Sequence, residues 1–139
     1  MEEQYKTLNV DSKSRIYLPD YTNFSPQEEL AFFLSLDEKY LILATDERHD
    51  RYLEDLFKLK NIDYHKVFLP EADRRFIRHY AAYACKQVEP DKQRRVTLPS
   101  KFINHLHFTN KIFTAGYDKV LKLYPSEEIF REEQEKRHL

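Results

Sequence analysis

The chain has 139 residues, the length of one ordinary domain with its own core. Its charged residues, 34% of the total, nearly cancel to a formal net charge of −1, so any attraction to a polyanion must come from a local patch. The single glycine excludes the glycine-rich phosphate loops of nucleotide and dinucleotide binders. The single cysteine, Cys85, excludes an intramolecular disulfide and fits a reducing compartment.

Met1-Glu2-Glu3-Gln4 is acidic rather than signal-like, and no apolar run could cross a bilayer, so a soluble, cytoplasmic protein is expected. After this short polar lead, Ile16 and Leu18 alternate with Arg15 and Tyr17. That period of two turns the first pair toward a core and the second outward, and Pro19 ends the strand. Residues 20–28 read as loop, with Asp20, Asn23, Ser25 and Pro26 as breakers. Leu30–Leu36 and Tyr40–Leu43 form a hairpin around Asp37-Glu38-Lys39. Thr45 is an N-cap candidate with Asp46 and Glu47 in the first turn. Tyr52, Leu53, Leu56 and Phe57 then recur at helical spacing through residues 46–60.

Residues 61–70 are a connector closed by Pro70. A second helix is expected over Glu71–Gln87, with Phe76, Ile77, Tyr80, Ala81 and Ala84 on its buried side and Arg74, Arg78 and Lys86 outside, stopped by Pro90. Beyond it lie a strand, Arg95–Leu98, a short helix, Ser100–Leu106, and a hairpin, Lys111–Tyr124, turning at Tyr117-Asp118. A last helix is capped by Ser126 with Glu127 and Glu128 behind it. Residues 131–139 have almost no apolar face and are expected to fray.

The second half repeats the first. Asp11-Ser12-Lys13-Ser14-Arg15-Ile16-Tyr17-Leu18-Pro19 returns as Asp91-Lys92-Gln93-Arg94-Arg95-Val96-Thr97-Leu98-Pro99, at an offset of 91 − 11 = 80. The same offset carries Phe33 onto Phe113, Lys39 onto Lys119, Leu41 onto Leu121, Leu43 onto Leu123, Glu47 onto Glu127 and Arg51 onto Arg131, without a gap. Two copies suit one pseudo-twofold domain better than a solenoid: a first half, 1–60, a connector with its linking helix, 61–87, and a second half, 88–139.

In each motif an Asp stands four residues before an Arg at a strand mouth. Its carboxylate can accept backbone N–H groups and fix the turn, leaving the Arg to point outward. Residues 91–101 carry Lys92, Arg94, Arg95 and Lys101 against Asp91, whereas over 11–20 the charges of Lys13 and Arg15 are cancelled by Asp11 and Asp20. An anion-binding surface should therefore lean on the second copy. Solvated charge is the plainer account of one such cluster, and an Asp–Arg pair that only braces its turn explains part of two.

Both copies resemble the D-x-x-G-R-hydrophobic-x-hydrophobic-P signature of the SpoVT-AbrB superfamily, and two in a chain of this length, separated by helices, resemble the MraZ proteins of bacteria. Phe113-Thr114-Ala115-Gly116-Tyr117 and Leu121-Lys122-Leu123-Tyr124-Pro125 are similar to that family's second hairpin and the start of its last helix. The resemblance implies an α+β fold, a pseudo-twofold swapped-hairpin β-barrel with flanking helices and interleaved halves. It also implies a ring-shaped homo-oligomer, no cofactor, and nucleoid-associated binding to double-stranded DNA at promoter direct repeats. The function implied is a transcriptional regulator, usually a repressor, of the division and cell-wall gene cluster that includes its own gene. By position the DNA-facing residues are Arg15 and Arg95, with Lys13, Lys92 and Arg94 beside them and Asp11 and Asp91 holding the turns. The sequence departs from the signature at its glycine, which is Ser14 in one copy and Arg94 in the other. Either the turn differs here or a residue with a Cβ accepts a positive φ.

Two other classes stay open: a homo-oligomeric interaction protein that kept the barrel and lost DNA binding, and an antitoxin-like regulator. Enzymatic readings are weaker. His105 and His107 stand two apart with no Cys or carboxylate at ligand spacing, His65 and His79 flank the linking helix, and Cys85 reads as a small buried thiol on that helix. Paired acids such as Glu127-Glu128 and Glu132-Glu133 suit a solvated helix. Tyr40, Tyr80, Tyr83 and Phe102 read as core or interface. Tyr17, alternating outward beside Arg15, is equally suited to stacking on a nucleotide or to a subunit contact.

Overall fold

A computed structural model describes residues 2–62, 68–82 and 84–137 of the chain, without the side chains of 81, 82 and 137. Six strands make an antiparallel sheet. They are β1 (Gln4–Asn9), β3 (Leu30–Leu34), β4 (Leu41–Thr45), β5 (Cys85–Val88), β7 (Lys111–Tyr117) and β8 (Val120–Tyr124), in the order β1-β7-β8-β4-β3-β5. Two short strands, β2 (Arg15–Tyr17) and β6 (Arg95–Thr97), pair only with each other. Four helices complete the chain: α1 (Asp46–Leu59), α2 (Glu71–Ala82), α3 (Ser100–Leu106) and α4 (Glu127–Arg137).

The sheet order reads the same from either end once each strand is exchanged for its repeat mate, so a pseudo-twofold axis passes between β4 and β8. The halves interleave: β1 of the first copy pairs with β7 of the second, β5 of the second with β3 of the first, and β2 with β6. Ile42 lies opposite Lys122 in the central pair, and 122 − 42 = 80 is the repeat offset itself. The six strands remain an open sheet with β1 and β5 at its edges. The three-residue ribbon strands have their hydrogen-bonding edges committed to each other and cover the sheet by packing. The fold is thus α+β as expected, with the expected exchange of strands, but hydrogen bonds do not close it into a barrel.

Alternation sorts the core into two faces. Leu41, Leu43, Leu121 and Leu123 point to the ribbon side, where they meet Ile16, Leu18, Val96 and Leu98 with Phe24, Phe32 and Phe102. Each such side chain, taken fully out of water, contributes about 1.5–3 kcal/mol. Ala31, Phe33, Ile42, Ala44 and Val120 face the other way, toward Tyr40, Tyr52 and Tyr117. Helix α1 packs on that second face through Tyr52 and His49, both in ring contact with Phe33. Phe130 of α4 meets Tyr124 of β8 and Tyr5 of β1 edge-on. Both helix starts behave as their sequences predict: Thr45 Oγ1 accepts from the Arg48 N–H at 3.2 Å, and Ser126 Oγ from the Ile129 N–H at 3.2 Å.

Four expectations need correction. The polar lead contains β1, whose register against β7 supplies the partners that its own composition does not advertise. The linking helix ends at Ala82, and Cys85–Val88 is the edge strand β5, the repeat mate of β1, so Cys85 is a half-buried strand residue. Helix α4 runs on to Arg137, held by Phe130 and by the Arg131–Glu127 ion pair. The gapless offset also fails inside the hairpins. Phe33 lies opposite Ile42 but Ala115 opposite Lys122, so β3 and β7 are related by 115 − 33 = 82 residues, and Phe33 matches Ala115 rather than Phe113. The second copy spends two more residues before its hairpin, where α3 replaces the single 3₁₀ turn Asp20–Thr22, and recovers them in a tighter turn at Asp118-Lys119. On α2, Phe76, Ile77 and Tyr80 are half-buried, while His65, Tyr83 and the side chain of Ala81 lie outside the described residues. Among the described residues no helix is long and apolar enough to cross a membrane.

Candidate nucleic-acid interface

The two motifs form one structure on the axis. In the ribbon Arg15 lies opposite Thr97, Ile16 opposite Val96 and Tyr17 opposite Arg95. Ile16 and Val96 are sealed in the core. Alternation therefore puts Arg15, Tyr17, Arg95 and Thr97 together on the outer face. Two crossing bonds lock the register, from the Leu18 N–H to the Arg94 carbonyl at 2.9 Å and from the Leu98 N–H to the Ser14 carbonyl at 2.8 Å. The short period-two pattern was visible in each copy. That the copies pair with each other was not.

The turns preceding the strands are superimposable in their chemistry. Asp11 Oδ1 accepts the Lys13 and Arg15 N–H groups at 2.9 Å each, and Asp91 Oδ1 accepts those of Gln93 and Arg95 at the same distance. The other oxygen of each Asp receives Nε of the Arg at 2.8 Å. These bonds, led by the one from the Arg backbone, hold both carboxyls below the usual aspartate range. Asp91, through its hydrogen bond, raises the pKa of Arg95 in return, and the Tyr17 phenol adds to the effect. Both turns hold a non-glycine residue left-handed, Ser14 at φ 61° and Arg94 at φ 61°. The turn is therefore retained, and the backbone carries the cost of lacking glycine.

The guanidinium groups are braced but not sealed off. The Arg15 side chain keeps 26% of its surface exposed and that of Arg95 19%. Each ion pair is made through Nε, which orients the group and leaves its terminal amino groups as donors. Lys13 and Lys92 are exposed at opposite ends of the ribbon. Arg94 is half-buried, and its Nε and Nη2 are buried without a hydrogen-bond partner among the described residues. Lys101, counted with the basic cluster in the sequence, is turned away, its Nζ donating to the Ala84 carbonyl at 3.0 Å. Tyr17 is the residue whose role the sequence left open. It is 57% exposed and its ring sits 5.9 Å from the guanidinium carbon of Arg95, at cation–π distance.

The histidines gather elsewhere. His79 and His105 both approach Glu38, at 3.4 and 3.6 Å, and His107 caps α3 with a left-handed φ of 58°. His49, which the sequence did not single out, is buried at 2% exposure, and burial lowers its pKa.

Residues 82–138, which span β5 to α4 and hold the second motif, match the family model described as "MraZ protein, putative antitoxin-like". Over that stretch, somewhat under half of its length, the chain is similar to the MraZ family. The match covers the second copy of the motif, and the first is tied to it by equivalent turns and by strand pairing across the axis. A comparison with curated proteins finds no match. The MraZ-family match and the ribbon geometry coincide at Asp91–Pro99, where the Asp–Arg brace, the left-handed Arg94 and the exposed Lys92 all lie.

Proposed function

We propose that the chain is a sequence-specific DNA-binding transcriptional regulator of the MraZ type, and that the outer face of the β2/β6 ribbon is its reading surface. The observation that carries this is the pairing of the two motifs, which puts Arg15, Tyr17, Arg95 and Thr97 on one outward face with Lys13 and Lys92 at its ends. A two-stranded ribbon fits the major groove, where an Arg can bond both acceptors of guanine, while lysines anchor on phosphate. The match of residues 82–138 to the MraZ family supports a regulator rather than an enzyme. It also underlies the finer reading: repression of a division and cell-wall cluster containing its own promoter, by a ring-shaped homo-oligomer spread over direct repeats. A ring raises avidity because each further contact is made at high effective concentration.

Binding to a duplex from the gene's own upstream region, measured at 50 and 200 mM salt, tests the proposal. Affinity should fall by orders of magnitude between the two if several phosphates are contacted. Arg95→Ala should weaken binding by about tenfold or more while leaving the unfolding midpoint close to that of the parent. No binding at low salt, with the oligomer intact, would leave an interaction protein that kept the fold. The family description gives an antitoxin-like regulator specific support, and a toxin co-purifying with the chain would favour it.

A further inference from the structure

The pseudo-twofold makes the ribbon's outer face almost symmetric, and the departures from symmetry fall on its exposed positions. Arg15 and Arg95 are mates, as are the aspartates that brace them. Tyr17 and Thr97 are mates too, yet one is a large ring and the other a short hydroxyl side chain. Because the strands are antiparallel, each Arg lies opposite the residue two positions past its mate, so Arg95 faces Tyr17 and Arg15 faces Thr97. Arg95 is consequently held on two sides, by Asp91 at Nε and by the Tyr17 ring and phenol. Among the described residues Arg15 has the aspartate brace alone, and it is the more exposed of the two. The turns differ too, with Ser12, Lys13 and Ser14 in the first copy against Lys92, Gln93 and Arg94 in the second.

We infer that one protomer reads a non-palindromic DNA element, and that Tyr17 is the residue that sets the difference between its halves. This rests on the DNA-binding function proposed above. A guanidinium fixed in plane by two partners loses little freedom when it bonds both acceptors of one guanine, and tolerates little else there. The half read by Arg95 and Tyr17 is therefore the strict half. On the other side Thr97 leaves space around Arg15, which can turn to alternative acceptors or to phosphate, so that half is permissive. Tyr17 is a positioning residue for Arg95, and its exposed ring edge is also placed to meet the neighbouring base or sugar.

The test is selection of duplexes from a randomised double-stranded library at low salt, using the full-length parent chain, Tyr17→Thr and Tyr17→Phe, with thermal unfolding of each. The parent should select a core that is not its own reverse complement. Tyr17→Thr makes the face symmetric, so discrimination in the strict half should drop by about tenfold while the other half is unchanged, and the selected core should approach a palindrome. Tyr17→Phe keeps the ring over Arg95 and should retain most of the parent's preference. A palindromic core for the parent overturns the inference, as does a Tyr17→Thr variant that binds all sequences equally more weakly. Retention of no duplex at all by a folded parent chain strikes instead at the DNA-binding function, and this inference falls with it.

Discussion

Ser14→Gly should stabilise the protein, because the turn before β2 is left-handed at a residue with a Cβ. An L-residue pays about 1–2 kcal/mol for that conformation and glycine pays none of it. Glycine loses more backbone freedom on folding, about 0.5–1 kcal/mol, which offsets part of the gain. Ser14 sits at φ 61°, and its side chain makes no hydrogen bond among the described residues that the change would delete, so the net is about 0.5–1 kcal/mol of added stability. For a chain of this size that is about 2–4 °C in the unfolding midpoint. Urea and thermal unfolding should be run beside Ser14→Ala, which keeps the Cβ and should gain nothing, and Arg94→Gly. The latter relieves the same backbone strain at φ 61° and also removes two buried guanidinium nitrogens that lack partners among the described residues. It should therefore stabilise at least as much as Ser14→Gly while weakening DNA binding, where Ser14→Gly leaves binding intact. If Ser14→Gly and Ser14→Ala prove equal, the cost assigned to the left-handed turn is wrong.

Gly116→Ala should destabilise by about 2 kcal/mol, read from urea unfolding, because the new Cβ would stand 2.4 Å from the Val120 carbonyl oxygen and 3.2 Å from Leu121 Cα. Lys122 points to the α4 side of the sheet with 11% of its side chain exposed, and Glu3 meets it at 3.1 Å with the same exposure. Glu3→Ala should therefore cost about 3 kcal/mol, and adding Lys122→Met should recover most of it, since an apolar pair replaces a stranded charge. A double-mutant cycle without coupling would show that water reaches the ammonium. His49 has its folded pKa lowered by burial, so the unfolded chain takes up the proton first. Stability should fall as pH drops below about 6.5, by at most about 1.4 kcal/mol per unit, and His49→Phe should flatten that slope in unfolding measured across pH 5–7. The motif aspartates, with pKa values held down, contribute stability that is lost only in stronger acid, below about pH 3.8.

Local signals were enough for much of the chain. Thr45 and Ser126 cap the helices that follow them, and Ser100–Leu106 is the short helix that its pattern predicts. The Asp–Arg turns close as their carboxylates require, since donors and acceptor lie within four residues of one another. The edge strands were hidden. Gln4–Asn9 is exposed at all but Leu8, and Cys85–Val88 follows a helix without a break that composition can mark, so only their partners make them strands. The two-residue slip between β3 and β7 was invisible for a related reason. Phe33 and Phe113 are chemically alike, but the register is set by turn length rather than by side-chain identity.

The sequence by itself determined the duplicated motif, the braced turns, the alternation that turns Arg15 and Arg95 outward, and the family resemblance. Only the tertiary structure decided that the two motifs pair with each other, that Tyr17 stands against Arg95 while Thr97 stands against Arg15, and that Lys101 leaves the cluster for the Ala84 carbonyl. The physical reason is range. A turn or cap is settled by atoms a few residues apart, whereas strands separated by 80 residues find their register through a shared core, here Ile16 and Val96 buried back to back across the pseudo-twofold axis.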